Sequence, residues 1–229
     1  LQLAGMELDG HDHTGTLFHV VCLGQLAEIR RENGFVASLR SVRDQGALLI
    51  LAHPHWCDNT MDDVLRWPFD GVEIYNHVCH WDNGKSSGLA HWNAALNRRS
   101  QALGFAADDT HLTQEHPGWN GGWIMVNARE CTAPGIMDAI RRGNYYSSQG
   151  PEFYEISLSE NELQLRFSPA RFIRLVGPGP AGMRRGTYAG DLLTETRFTL
   201  PNEWRYLYAE IEDEHGHRAW TNHLLVQPE

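Results

Sequence analysis

The chain has 229 residues, 41% of them hydrophobic, with 19 Lys and Arg against 29 Asp and Glu and a formal charge of −10. That apolar content excludes a disordered polypeptide, and the acidic balance argues against a nonspecific nucleic-acid binder, which needs a basic surface. No apolar run reaches the roughly 18 residues of a membrane span. The length suits one large domain, or a medium domain and a small one. Cys22, Cys57, Cys79 and Cys131 are widely spaced with no Cys-x-x-Cys pair, a reduced pattern that points to the cytoplasm.

In chain order, "AGMEL" reads as an apolar strand carrying Glu7, where an ionised carboxylate is costly unless paired or metal-bound. "DGHDHT" (Asp9–Thr14) follows. Residues two apart on an extended strand point the same way, so His11 and His13 suit either one metal ion or a loop between neighbouring strands. "LFHVVCLG" then sets His19 among apolar neighbours. "ALLILAHPHW" is a buried strand ending in polar residues, and Pro54 stiffens its exit and fixes His53 beside His55. "GVEIYNH" and "ALGFAADDTH" repeat the design, ending in Asn76 and His77 and in Asp109 and His111. Between them Leu89, Trp92 and Leu96 fall at helical spacing, as do Ile136, Met137 and Ile140 later, with Gly143 placed to end that helix. Strands alternating with helices predict a mainly parallel α/β sheet or barrel over residues 1–151, with its chemistry at the strand carboxyl ends. Beyond "QGPE" the pattern turns all-β: "EFYEISL", "ELQLRFS", "RFIRLVG", "ETRFTLP", "WRYLYAEIED" and "RAWTNHLLV". These predict a compact β-sandwich over residues 152–229.

Singly, each polar residue has an ordinary alternative. Asp109 suits an Asx turn, and His19 or His53 suits a satisfied core histidine. His55 suits a surface ring packed on Trp56, and Asn76 and His77 suit strand capping. "GWNGGW" (Gly118–Trp123) reads as a lid or as a glycine-rich turn pinned by two tryptophans. Together, three histidines and two carboxylates at predicted strand ends form the donor set of a divalent cation.

The ordered series "GMEL…FHVVCLG", "RDQGALLILAHPHW", "DGVEIYNHVC", "GKSSGLAHW", "GFAADDTH", "GGWIMV" and "AIRRGNYYSSQGPE" resembles the polymerase and histidinol phosphatase (PHP) superfamily, in its metal-dependent phosphoesterase branch. The resemblance covers nearly the whole chain. It implies a distorted (β/α)7-type barrel of about seven β/α units, with up to three divalent ions (Mn, Zn or Fe) at the strand carboxyl ends. By resemblance, Glu7 matches the metal-bridging glutamate, His19 the ligand after it and His53 the histidine of the "HP" motif. Asp109 and His111 match the final Asp-x-His pair. The tail resembles the small β-sandwich that often follows. The family's opening Asp-x-His-x-His should precede a helix, an Asp-His strand and only then the glutamate, whereas Glu7 here precedes "DGHDHT". The stretch, flanked by Gly10 and Gly15, is therefore expected to be a hairpin connection. The barrel is then expected to be N-terminally incomplete, with the Glu7 strand at an open edge. His11 and His13 remain candidates for substrate contact, together with Asn76 and His77.

The implied activity is hydrolysis of a small-molecule phosphate mono- or diester by metal-activated hydroxide, with His55 as the proton donor or as a residue that orients a ligand. A carbamate or amide hydrolase of the same superfamily is the alternative, as is a binding or regulatory module without catalysis.

Overall fold

The computed structural model describes residues 1–27, 29, 31–112 and 118–226. Alternating apolar and polar residues fold the first segment into a hairpin. In it β1 (Gly5–His11) runs antiparallel to β2 (Leu17–Leu23), with Glu7 opposite Val21 and Asp9 opposite His19. Leu8, Phe18, Val20 and Cys22 are buried. The two-residue period therefore turns Glu7, Asp9 and His19 to the other face. Helix α1 (Phe35–Asp44) packs against the hairpin, its Phe35 ring stacked on Phe18 at 6.0 Å.

β3 (Leu48–Leu51) continues the sheet antiparallel to β2. The predicted strand–helix alternation then holds through α2 (Met61–Arg66), β4 (Gly71–Asn76), α3 (His77–Asn83), α4 (Leu89–Arg98) and β5 (Leu103–Ala107). β3, β4 and β5 are parallel neighbours, so the five-stranded sheet has the order β1-β2-β3-β4-β5. β3 and β4 are buried at every residue, as strands covered on both faces must be. In α4 the expected face is present: Trp92 and Leu96 are buried, and Leu89 packs on the same core.

From there the chain follows β6 (Trp123–Val126), α5 (Ala133–Arg141), β7 (Tyr145–Ser148), β8 (Phe153–Ser159), β9 (Glu162–Ala170), β10 (Phe172–Val176) and β11 (Gly182–Arg185). It ends in β12 (Leu193–Thr199), β13 (Tyr206–Glu212), β14 (Arg218–Thr221) and β15 (Leu225–Val226). A seven-stranded antiparallel sheet has the order β11-β10-β13-β14-β7-β6, with β15 also on β13, and a three-stranded sheet has the order β12-β9-β8.

The expected (β/α)7-type barrel, incomplete at its N-terminus, does not form. The described residues make three sheets and five α-helices, and their parallel ladders are confined to β3–β4 and β4–β5. A parallel neighbour needs a crossover that brings the chain back to the same end of the sheet. After β5 that pattern stops: β6 and β7 pair antiparallel across α5, and β7 takes β14 as its other neighbour. The seven-stranded sheet thus runs across the position between residues 151 and 152. Hydrophobic period marks an element but not its partner, which is why the elements were predictable and the closure was not.

β13 ties the parts together. Leu207, Ala209 and Ile211 face a core shared with Leu163, Leu165 and Phe167 of β9. Tyr206 and Tyr208 face the core of the first sheet, where the Tyr208 ring lies 4.5 Å from Trp92. No described helix is long and apolar enough to cross a membrane.

Candidate metal centre

Glu7 and His19 are diagonal neighbours on the exposed hairpin face, a spacing within reach of long side chains, and His19 Nδ1 lies 2.7 Å from Glu7 Oε1. His53 follows β3, and its Nε2 lies 3.7 Å from the same Glu7 oxygen and 3.8 Å from Asp109 Oδ2. The ligand atoms of Glu7, His19 and His53 all fall within 4.8 Å of one another. An ion bound at about 2.0–2.2 Å needs its donors gathered on that scale, so the three could hold one cation after a modest closing of side chains.

Behind these residues stands a network that the sequence reading missed. Glu73 on β4 is buried. Its Oε2 accepts the His53 backbone N–H at 2.8 Å and the Asn76 side-chain N–H at 3.0 Å. Asn76 also donates to Asp109 Oδ2 at 3.2 Å, while its own Oδ1 accepts the Cys79 N–H and so caps α3. One carboxylate and one amide therefore hold both His53 and Asp109. Both of these residues have positive φ, 25° and 57°, a conformation that persists in non-glycine residues only where the surroundings enforce it. Gly88 belongs to the same arrangement, since a Cβ there would collide with the Glu73 carbonyl.

The charges follow from these contacts. The hydrogen bond from His19, with help from His53, holds the Glu7 carboxyl down at about 2. Burial works against the His53 cation, yet the Cys57 sulfur, the Glu7 carboxylate and the Glu73 charge outweigh it and push the imidazole up to about 10. Burial raises Glu73, against the pull of His53 and Asn76.

A cavity of about 700 Å³ opens over the cluster, lined by Glu7, Asp9, His19, His53, Asp109 and His111 and walled by Trp56 and Trp81. All five predicted ligands thus reach one space, with His111 exposed. The remaining predicted residues are not among the described lining residues of this cavity. His55, one of them, is exposed. His11 is the last residue of β1, four residues and about 13 Å along the strand from Glu7. His13 sits in the turn, edge-on to Trp67 at 6.1 Å. That turn is built around Asp12, which accepts from Thr14, Arg66 and the Trp67 indole, so "DGHDHT" closes a hairpin. Asn76 is a buried positioning residue, and His77 lies against the Tyr75 hydroxyl at 3.2 Å and beside Gly121. "GWNGGW" is anchored by Asp108, whose carboxylate accepts the backbone N–H groups of Asn120, Gly121 and Gly122. Trp119 within it is exposed. Glu73 had a legible signal, a carboxylate inside the apolar run "GVEIYN", the same signal that marked Glu7.

No protein-family model matches the chain, and no curated protein matches it either.

Proposed function

We propose that this chain is a metal-dependent hydrolase of small-molecule phosphate esters, with Glu7, His19, His53 and Asp109 holding the metal. The observation that carries the reading is the Glu7–His19–His53 cluster facing a cavity that Asp109 and His111 also line. Two imidazoles with carboxylates suit Mn, Fe or Zn. The motif order, which resembles that of PHP phosphoesterases, supports the same reading, and the barrel plays no part in it. When bound, a divalent cation supplies Lewis acidity, which acidifies a water and draws charge from a phosphoryl oxygen. Hydrolysis breaks the ester P–O bond, joins the water oxygen to phosphorus and returns a proton to the leaving alcohol. His111 lines the cavity without belonging to the triad, and in this reading it is the imidazole that brings that proton.

Elemental analysis and paired assays test the reading. With Mn or Zn added, p-nitrophenyl phosphate should be hydrolysed, and Glu7→Gln should lose both the metal and the turnover. Hydrolysis of an aryl carbamate but not the phosphate would move the activity to C–N bond cleavage. Failure to bind Mn, Fe or Zn would overturn the proposal.

A further inference from the structure

A histidine ligates a cation only through a ring nitrogen that carries no proton, so the partner of its other nitrogen decides whether it is available. At His53 the two nitrogens face different groups. Nε2 lies 3.7 Å from Glu7 Oε1 and 3.8 Å from Asp109 Oδ2. Nδ1 lies 3.5 Å from the Cys57 sulfur, a hydrogen-bonding distance for so large an atom.

The backbone sets this contact. The His53 carbonyl accepts the N–H groups of Trp56 and Cys57 at 2.9 and 3.2 Å, and the Pro54 carbonyl accepts the Asn59 N–H at 2.9 Å. The chain after β3 thus closes one helix-like turn, which brings residue 57 back to the side occupied by residue 53. The Trp56 ring meets His53 edge-on at 5.2 Å. Its indole nitrogen is only a donor, so it can limit the tilt of the imidazole without accepting its proton. His53 and Cys57 are 6% and 9% exposed, which leaves bulk water little access to Nδ1.

A thiol can act in either direction. As a donor, its S–H would meet a lone pair on Nδ1, and the ring proton would sit on Nε2 and close that nitrogen to a metal. As an acceptor, the sulfur keeps the proton on Nδ1 and leaves the Nε2 lone pair free. With a cation beside Glu7, only the second arrangement lets His53 ligate through Nε2.

We infer that Cys57 is a positioning residue for the metal centre, whose sulfur accepts the Nδ1–H of His53 and so presents Nε2 to the cation. The inference rests on the metal-binding part of the proposed function, and it adds the group that fixes the ligand's tautomer. Carboxylates, carbonyls and waters usually fill this place. Sulfur is a weaker acceptor than any of them, so an oxygen should be able to replace it.

Cys57→Ala and Cys57→Ser make a matched pair, similar in size and differing in the hydroxyl acceptor. By calorimetric titration, Cys57→Ala should bind Zn about 10–100-fold more weakly than the unmodified protein, and Cys57→Ser should recover most of that loss. Long-range proton–nitrogen NMR of the Zn-loaded unmodified protein reads the tautomer without any substitution. His53 should carry its proton on Nδ1 and coordinate through Nε2. A proton on Nε2, or coordination through Nδ1, overturns the inference even if a variant fails to fold. Equal losses in the Ala and Ser variants also overturn it, since they would show that the thiol only fills space. Equal Zn affinity in all three proteins sinks the inference and leaves the metal centre standing. No Zn uptake by the unmodified protein sinks both, so the two failures are distinct.

Discussion

At the residue scale, the site is governed by how few groups hold it. Glu73 acts through two hydrogen bonds, one to the His53 backbone and one to Asn76, which in turn holds Asp109. Removing such a partner behind a ligand typically weakens metal binding about 10–100-fold. Glu73→Ala should therefore fall in that range by metal titration, and His53→Ala should lose more, because a ligand itself is gone. An unchanged affinity in Glu73→Ala would mean that the network does not position the ligands. Proton competition gives a second expectation. The metal takes neutral imidazole, while His53 in the metal-free protein holds its proton up to about 10, so metal uptake near pH 7 should release about one proton from it. Affinity should then rise with pH from 6 towards 9, and Glu7, ionised above about 2, should add nothing to the trend over that window. Calorimetry in buffers of different ionisation enthalpy measures the proton count directly.

At the scale of the element, the hairpin of β1 and β2 positions Glu7 and His19, and its turn depends on Asp12. Five groups from four residues donate to that carboxylate: the Thr14 N–H and hydroxyl, the Thr16 N–H, the Arg66 guanidinium and the Trp67 indole. Burial opposes ionisation of Asp12, but these donors prevail and hold its carboxyl well below the usual range. A depressed folded-state value contributes stability that is complete above the unfolded carboxylate value, about 3.9. That stability is lost as pH falls through the folded value. Asp12→Asn should cost about 1–3 kcal/mol near pH 7, the scale for a disrupted charged hydrogen-bond centre, and progressively less as pH falls from the unfolded value through the folded one, so the two acid-unfolding curves should converge. Parallel curves across the range would show that the turn does not depend on this charge. The same hairpin shows what the sequence made legible. Alternation in "GMEL" and "LFHVV", and the glycines around "DGHDHT", marked two strands and a turn. Nothing local indicated that Asp12 answers to Arg66 and Trp67 more than fifty residues away.

At the scale of the whole molecule, the legible part ends where pairing becomes long-range. β3, α4 and β5 were readable from local period, as were the aromatic strands of the tail, but β7 meets β14 across seventy residues and no local pattern encodes that return. The junction it creates is unusual. Among the described residues no strand ladder joins β5 to β7, and side chains bridge them instead. The Ser147 hydroxyl donates to the Gly104 carbonyl and accepts the Ala106 N–H. Asn222 accepts the Gly104 N–H and donates to the Tyr145 carbonyl. Both residues are buried, so their removal leaves backbone groups without partners, at about 1–3 kcal/mol for each group. Asn222→Ala should therefore destabilise by about 2–5 kcal/mol, more than a typical substitution. It should also loosen the coupling between the sheets. In urea, the fluorescence of Trp92 in the first core and of Trp204 in the second should report one shared transition in the native sequence, and two separated transitions in Asn222→Ala. Single-tryptophan versions of each background provide the separate signals. Coincident transitions in the variant would mean that β13, buried on both faces between the two cores, is enough to unite them without the side-chain bridge.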